Sequence, residues 1–305
     1  MNFTHNNHLR YSIGGREFGF RENGLEDYKV SVGQVDSDRY LKSSYKQELL
    51  RTADLIHRDL GDDFVVLLSG GTDSEIVVRN FVENGIKPRC VTIKFKDGYN
   101  DTDVKESYRI AGELGLAVET YDFDVIDFLY SGEADEFGQR LQCTQITYLM
   151  VYHTVMKLGM PAVMGGEVLM RRNVNTTPSS WYYCFRENED ASAMRFSNTY
   201  GIPLVNEYFS YTPELLLYWL SLPAIKKLVS ERFNYKLASV SSKNAILKEL
   251  VPEIMERKKT HGFEKLLAFN FEAYRTLAQN QILRLESSLD GIEYNQIINN
   301  LTGKQ

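Results

Sequence analysis

Cysteine is scarce in this chain, and its spacing builds nothing. Cys90, Cys143 and Cys184 are the three present, far apart and without a Cys-x-x-Cys, which argues against a disulfide framework or a cysteine-held zinc site. The five histidines, His5, His8, His57, His153 and His261, show no His-x-x-x-His or paired ligand spacing, so a structural metal is not expected either. No apolar run reaches membrane-spanning length, and the opening Met-Asn-Phe-Thr-His-Asn-Asn-His has no basic region followed by an apolar one. The expectation is a cytoplasmic protein with no membrane partner. Excess positive charge is missing too: a net charge of -6 and a pI near 5.5 argue against a dominant nucleic-acid footprint and favour small molecules or proteins as partners. Internal repeats and low-complexity segments are absent. What the chain does have is length and apolar content: 305 residues, 43% of them hydrophobic, suffice for one large domain or two smaller ones.

The most informative stretch is Phe-Val-Val-Leu-Leu-Ser-Gly-Gly-Thr-Asp-Ser at residues 64–74. An apolar strand runs straight into a small, polar turn, and a helix follows from about Glu75 to Glu83. Small residues at Ser69, Gly70, Gly71 and Ser74, with Thr72 between them, let backbone N–H groups converge on an anion, and the helix adds its positive end. Asp73 supplies a hard carboxylate of the kind Mg2+ takes beside a nucleotide. Two adjacent glycines alone would fit any tight turn. This is not a Walker A loop, because no lysine closes it, and it is not Gly-x-Gly-x-x-Gly.

Beyond the turn, strand Arg89–Phe95, helix Val104–Leu114 and strand Ala117–Phe123 continue an alternation that implies a doubly wound parallel sheet of the α/β class. A longer helix is expected from Gln142 to Leu158, then a short strand, Ala162–Met164, ending in Gly165, Gly166 and Glu167. Open parallel sheets place ligands outside the carboxyl ends of such strands, where both Ser69 and Glu167 fall. Residues 1–60, with short alternating runs at Tyr11–Phe20 and Tyr28–Val35 and a helix near Ser43–Leu60, read as a small cap or interface element, with a homodimer contact as one alternative. Residues 61–210 form the nucleotide domain, and residues 211–305, with helices at Leu215–Leu222, Ile225–Phe233, Lys243–Leu250 and from Phe263, form a helical lobe. The tail beyond Gly291, rich in asparagine, is expected to fray.

Ser-Gly-Gly-x-Asp-Ser resembles the PP-loop of the ATP pyrophosphatases, enzymes that split ATP between the α and β phosphates; the implied fold is HUP-like. A second segment sharpens the likeness. Residues 242–263 resemble the part of asparagine synthetases that reads, loosely, Lys-x-x-Leu-Arg, Leu-x-Pro-x-x-Ile, Arg-x-Lys-x-Gly-Phe, matched here by Lys243, Leu247, Lys248, Pro252, Ile254, Arg257, Lys259, Gly262 and Phe263, with one extra residue before Leu247, one fewer before Ile254 and one extra before the glycine. The resemblance covers roughly residues 60–270. It implies ATP and Mg2+ as cofactors, with Ser69, Gly70, Gly71, Thr72, Asp73 and Ser74 on the pyrophosphate and metal, and the backbone of Thr92, Ile93 and Lys94 on the adenine. It puts Glu167, after Gly165 and Gly166, where the family's Ser-Gly-Glu glutamate handles the proton of the attacking amine. Lys259, or Lys258 because of the insertion, would neutralise charge developing during transfer.

The chain also departs from that family. Asparagine synthetases follow the glutamate with Gly-x-Asp-Glu, whereas this chain reads Val168-Leu-Met-Arg-Arg172, so the second metal acid is missing; Arg171 and Arg172 are candidates for phosphate or a substrate carboxylate, and equally for solvated loop charges. No glutaminase domain precedes the loop, and residue 2 is Asn2 rather than a nucleophilic cysteine. The expected reaction is therefore ATP-dependent adenylation of a small-molecule carboxylate followed by amide formation, with nitrogen from ammonia, an amine or a separate glutaminase subunit. One alternative is a tRNA- or base-modifying enzyme, in whose thiolating form Cys143 and Cys184 would act; another is a non-catalytic nucleotide-binding relative. The aromatic group Trp181, Tyr182, Tyr183 and Phe185 reads as an acceptor pocket or, more usually, as packing.

Overall fold

The computed structural model describes residues 8–173, 180–230, 239–251, 254 and 291–304. At the N-terminus, β1 (Arg10–Ile13), β2 (Arg16–Glu17) and β3 (Tyr28–Ser31) form a small antiparallel sheet in the order β2-β1-β3. Helix α1 (Ser37–Lys42) and helix α2 (Tyr45–Leu60) follow, with Ser44 capping α2 by accepting from the Gln47 N–H. Leu9, Tyr11 and Ile13 are fully or almost fully buried in the same cluster as α2 and the central domain. The N-terminal element is thus packed into the core.

The centre is a five-stranded parallel sheet. Its strands are β4 (Val65–Leu67), β5 (Arg89–Phe95), β6 (Val118–Phe123), β7 (Ala162–Val163) and, further along, β10 (Leu204–Val205), in the order β10-β7-β4-β5-β6. Val65 lies opposite Arg89 on one side and Ala162 on the other. Alternate residues of β4 feed two apolar clusters. Val66 and Leu68 join Ile76, Val77 and Phe81 of α3 (Thr72–Glu83) and Ile110 of α4 (Asp101–Glu113). Val65 and Leu67 join Phe128 of α5 (Val125–Tyr130), Phe137 of α6 (Glu133–Leu141) and Leu149 of α7 (Ile146–Leu158), with Phe196 of α8 (Asp190–Tyr200). Helices on both faces make this a doubly wound α/β sheet, as the alternation of elements implied. Its order reverses between β4 and β7, so a crevice opens at their carboxyl ends.

A third sheet was not legible in advance. β8 (Leu169–Asn173), β9 (Ser180–Cys184), β11 (Ser239–Ser241) and β12 (Gly291–Glu293) pair antiparallel in the order β11-β8-β9-β12. Trp181, Tyr183 and Phe185 are buried in the main cluster, so this aromatic run is packing. The C-terminal third supplies helices α9 (Pro213–Leu220), α10 (Pro223–Ser230), α11 (Ser242–Glu249) and α12 (Tyr294–Thr302), and also the strands β11 and β12. The expectation of a fraying tail is wrong: Ile297 and Leu301 of α12 are fully buried, Tyr294 is nearly so, and Glu293 caps the helix by accepting from the Asn295 and Gln296 N–H groups. The asparagines occupy the outer face of an amphipathic helix whose apolar spacing decides its fate. On α4 the buried stripe is Val104, Ser107, Ile110 and Ala111, and Tyr108 is about half exposed. Among the described residues, no helix is long and apolar enough to cross a membrane.

Candidate active site

Two strand ends build the crevice. β4 runs into Ser69, Gly70 and Gly71, and α3 begins at Thr72 with Gly71 as its N-cap, a residue with no side chain to occupy the helix's first N–H groups. Gly70 has a φ of +70°, and a Cβ there would collide with the Asp103 carbonyl oxygen. Only glycine brings the turn this close to α4. The Ser74 hydroxyl donates to the Gly71 carbonyl at 2.9 Å and lies 3.2 Å from the Ser69 hydroxyl, closing the turn on itself.

From the neighbouring strand, β7 delivers Gly165, Gly166 and Glu167. A Cβ on Gly165 would stand 2.8 Å from Asp73 Cβ and 3.1 Å from the Asp73 carbonyl carbon. Gly166 has a φ of +62°, and a side chain there would strike the Asn206 carbonyl oxygen. The two turns are therefore in van der Waals contact, with glycines as the joint. Between them lies a cavity of about 360 Å³. Ser69, Asp73, Ser74, Gly165, Gly166, Glu167, Asp103 and Lys243 give it a polar end, and Leu67, Val91, Ile93, Phe95, Met150, Val151 and Met164 give it an apolar wall. A pocket with a broad apolar wall and a few convergent polar groups suits a nucleoside carrying a charged chain.

The expected residues divide into groups. Ser69, Asp73, Ser74, Ile93, Gly165, Gly166 and Glu167 line the cavity, and Gly70, Gly71 and Thr72 form the turn between its lining residues. Thr92 is buried with its hydroxyl donating to Ser107 at 3.2 Å, and Lys94 sits opposite Asp122 in the β5–β6 register; neither is among the lining residues. The Ile93 carbonyl accepts from the Asn100 amide at 2.7 Å, and the same amide accepts from the Phe95 N–H at 2.8 Å. Arg171 and Arg172 lie on β8, opposite Tyr182 and Trp181, away from the cavity lining. Lys258 and Lys259 lie outside the described residues, as do Arg257, His261, Gly262 and Phe263.

Lys243, in the first turn of α11, lines the cavity although it was read only as part of a motif. Its signal was present in the resemblance, as the lysine that opens Lys-x-x-Leu-Arg. A second group escaped sequence reasoning altogether. Glu167 lies 3.4 Å from Arg186 Nη1, and the same nitrogen contacts Glu189. Asp190 takes the rest of the guanidinium through Nε at 3.0 Å and Nη2 at 3.1 Å. Burial opposes the Arg186 charge, but Asp190 together with Tyr148 and Glu189 more than offsets this, and the guanidinium holds its proton more tightly than usual. Burial pushes the Glu189 carboxyl up to about 7, against the pull of Arg186. Burial also pushes the thiols of Cys143 and Cys184 up, to about 12 and about 11. Both stay protonated near neutrality and lack the thiolate that sulfur transfer requires.

A metal would find Asp73 and Asp103 on the cavity wall. Among the described residues, no group of three or more carboxylate, histidine or cysteine side chains is arranged to hold an ion. That donor set fits Mg2+, which keeps several waters and leans on substrate phosphates with one or two carboxylates.

No family model matches this chain. No curated protein matches it. Among solved structures, the chain is similar to NMN synthetase from Francisella tularensis, at 16% identity and a TM-score of 0.31, over 82% of this chain and 99% of that one.

Proposed function

We propose that the protein is a PP-loop ATP pyrophosphatase that adenylates a small carboxylate and converts it to an amide in the manner of an asparagine synthetase. The observation that carries this reading is the single cavity on which the Ser69–Ser74 turn, the Gly165–Glu167 turn and Lys243 converge. In it, the backbone N–H groups of the turn and the start of α3 take the pyrophosphate oxygens. Asp73, joined by Asp103, would hold Mg2+, which supplies positive charge to the phosphates. The substrate carboxylate attacks the α phosphorus, the bond to the β-phosphate oxygen breaks, and pyrophosphate leaves. The amine then attacks the acyl carbon, Glu167 takes its proton, and AMP departs as the amide forms. Lys243 offsets the charge that develops, a task the resemblance also gives to Lys259 or Lys258. Nitrogen comes from ammonia, an amine or a separate glutaminase subunit.

Pyrophosphate release tests the reading. Amino acids, small carboxylates, nucleotides and tRNA are offered with ATP and Mg2+, with and without ammonium, to the wild type and to Asp73→Asn. Release with a carboxylate that disappears in Asp73→Asn supports the proposal; undiminished release in the variant sinks the loop assignment, and dependence on RNA selects a base-modifying enzyme.

A second reading rests on Met170, fully buried and apolar, which stands where asparagine synthetases carry the aspartate of Gly-x-Asp-Glu. A non-catalytic nucleotide-binding protein would lose that acid freely. ATP binding without any pyrophosphate release selects it.

A further inference from the structure

Arg186 lies just after β9, ahead of α8, and divides its guanidinium between two tasks. Nε and Nη2 fork onto Asp190, whose Oδ2 also accepts the Arg186 backbone N–H at 2.6 Å. This fork fixes the guanidinium plane. The remaining nitrogen, Nη1, reaches two carboxylates on different elements: Glu167 on the cavity wall and Glu189 at the start of α8. Arg186 is 12% exposed and Glu189 15%, so water competes little for that pair, whereas Glu167 is 30% exposed toward the cavity.

We propose that Arg186 is the positioning residue for Glu167 in the amine-transfer half of the reaction, and that Glu189 competes with Glu167 for the same guanidinium nitrogen. The proposal rests on the amide-forming reading above. Its logic is geometric and electrostatic: Nη1 carries two N–H groups, but the two carboxylates meet at that one nitrogen and repel each other, so the charge state of one decides the hold on the other. Glu189 is faced by Arg186 and Arg171, which favour its anion, and by Asp190 and Glu167, which disfavour it. Tyr148 stands beside the same acids and Cys184 beside Asp190 and both arginines. With its carboxyl raised to about 7, Glu189 is neutral at mildly acidic pH and leaves Nη1 to Glu167. Above neutrality the Glu189 anion repels Glu167 from the shared nitrogen.

The probe is hydroxylamine as the amine, with ATP, Mg2+ and the twenty amino acids as acyl donors. Hydroxamate reads the whole reaction and pyrophosphate reads its first half. In Arg186→Gln, hydroxamate formation is expected to fall on the order of 10²-fold, the scale of a misplaced general base, while pyrophosphate release falls far less. Equal losses in both halves of a folded variant, or no loss, overturn the proposal. Should Arg186→Gln fail to fold, Glu189→Gln decides. Wild-type hydroxamate formation is expected to decline as pH rises through about 7, the Glu189 range, and the decline should vanish in Glu189→Gln; parallel profiles overturn the proposal. If the wild type releases no pyrophosphate, the amide reading fails. Crystal structures of wild type and Glu189→Gln at mildly acidic and mildly alkaline pH still decide the positional claim. The distance from Glu167 to Arg186 should lengthen at alkaline pH in the wild type alone, and an unchanged distance overturns the proposal.

Discussion

Gly165 and Asp73 touch so closely that a single methyl group between them has nowhere to go: a Cβ on Gly165 would stand 2.8 Å from Asp73 Cβ, 3.1 Å from its carbonyl carbon and 3.3 Å from the Ser74 nitrogen. Two of those atoms are backbone at the start of α3, which cannot swing aside as a side-chain end can. Gly165→Ala should therefore move the helix start and cost about 1–3 kcal/mol of stability, the usual range for overpacking. Because the displaced atoms belong to the turn proposed to hold the phosphates, ATP affinity should fall with it. Urea unfolding and calorimetric titration with a non-cleavable ATP analogue measure the two effects, and unchanged affinity would separate this contact from the nucleotide site.

Lys243 gives a cleaner handle on the charge of the cavity, since it sits on the wall without being part of either glycine turn. Lys243→Met keeps the aliphatic stem and removes the ammonium. Charge-assisted hydrogen bonds contribute roughly 1.5–3 kcal/mol, so affinity for an ATP analogue should weaken roughly ten- to a hundredfold. AMP, which lacks the pyrophosphate, should lose far less. Equal weakening of both ligands would assign Lys243 to the nucleoside end instead.

Much of this site was legible because its parts announce themselves locally. The Ser69–Ser74 turn carries its glycine, serine and aspartate requirements within six residues, and Gly165, Gly166 and Glu167 follow a short apolar strand at the other lip of the crevice. The alternation that predicted the parallel sheet is likewise local. What was hidden depends on distant pairing. β8 and β9 meet β11 and β12 only after long intervals of chain, so their residues read as loop and aromatic packing rather than as a sheet. Arg186 lies within a charged run, Arg-Glu-Asn-Glu-Asp, and only the fold shows that it faces Glu167 while its neighbour Glu187 faces the N-terminal element. The tail was misread because asparagine content was weighed above the spacing of Tyr294, Ile297 and Leu301.

That neighbour makes a prediction of its own. Glu187 is 1% exposed, receives the Arg21 guanidinium at 2.8 Å and lies 3.2 Å from Arg195, which is itself fully buried. Arg195 also donates to the carbonyls of Gly19, Leu141 and Gln142, and the Gln142 amide bonds to both the N–H and the carbonyl of Arg21. The network fastens the N-terminal element to the α/β domain. Removing one partner of a buried charge cluster leaves the others uncompensated, so Glu187→Gln should destabilise the protein by roughly 3 kcal/mol or more. Limited proteolysis should then cut near Gly24 before the central domain opens. A variant as stable and as resistant as the wild type would show that packing of Leu9, Tyr11 and Ile13 holds this element without the ion network.

His8 provides the pH-dependent counterpart. Its ring is buried and its Nε2–H donates to the Ser210 carbonyl at 2.6 Å. Burial lowers its pKa from 6.5 to about 4, with the Ser210 bond and Glu214 pulling the other way. The folded state therefore favours the neutral ring, and the unfolded chain binds more protons between pH 4 and 6.5. The stability contributed by the neutral ring is complete above about pH 6.5 and is lost as pH falls toward 4. A difference of that size is worth roughly 3 kcal/mol over the whole window. Glu189 acts with the opposite sign, because a carboxyl raised to about 7 favours the folded state at low pH and loses that contribution as pH rises from about 4.5 to 7. Urea unfolding of wild type, His8→Phe and Glu189→Gln across pH 4.5 to 8 separates the two. The two windows overlap with opposite slopes, so between pH 4.5 and 6.5 His8→Phe should make stability fall more steeply as pH rises and Glu189→Gln should make it climb more steeply. A pH profile that stays parallel to the wild type in His8→Phe would mean that the ring is protonated in the folded protein and that Ser210 and Glu214 outweigh its burial.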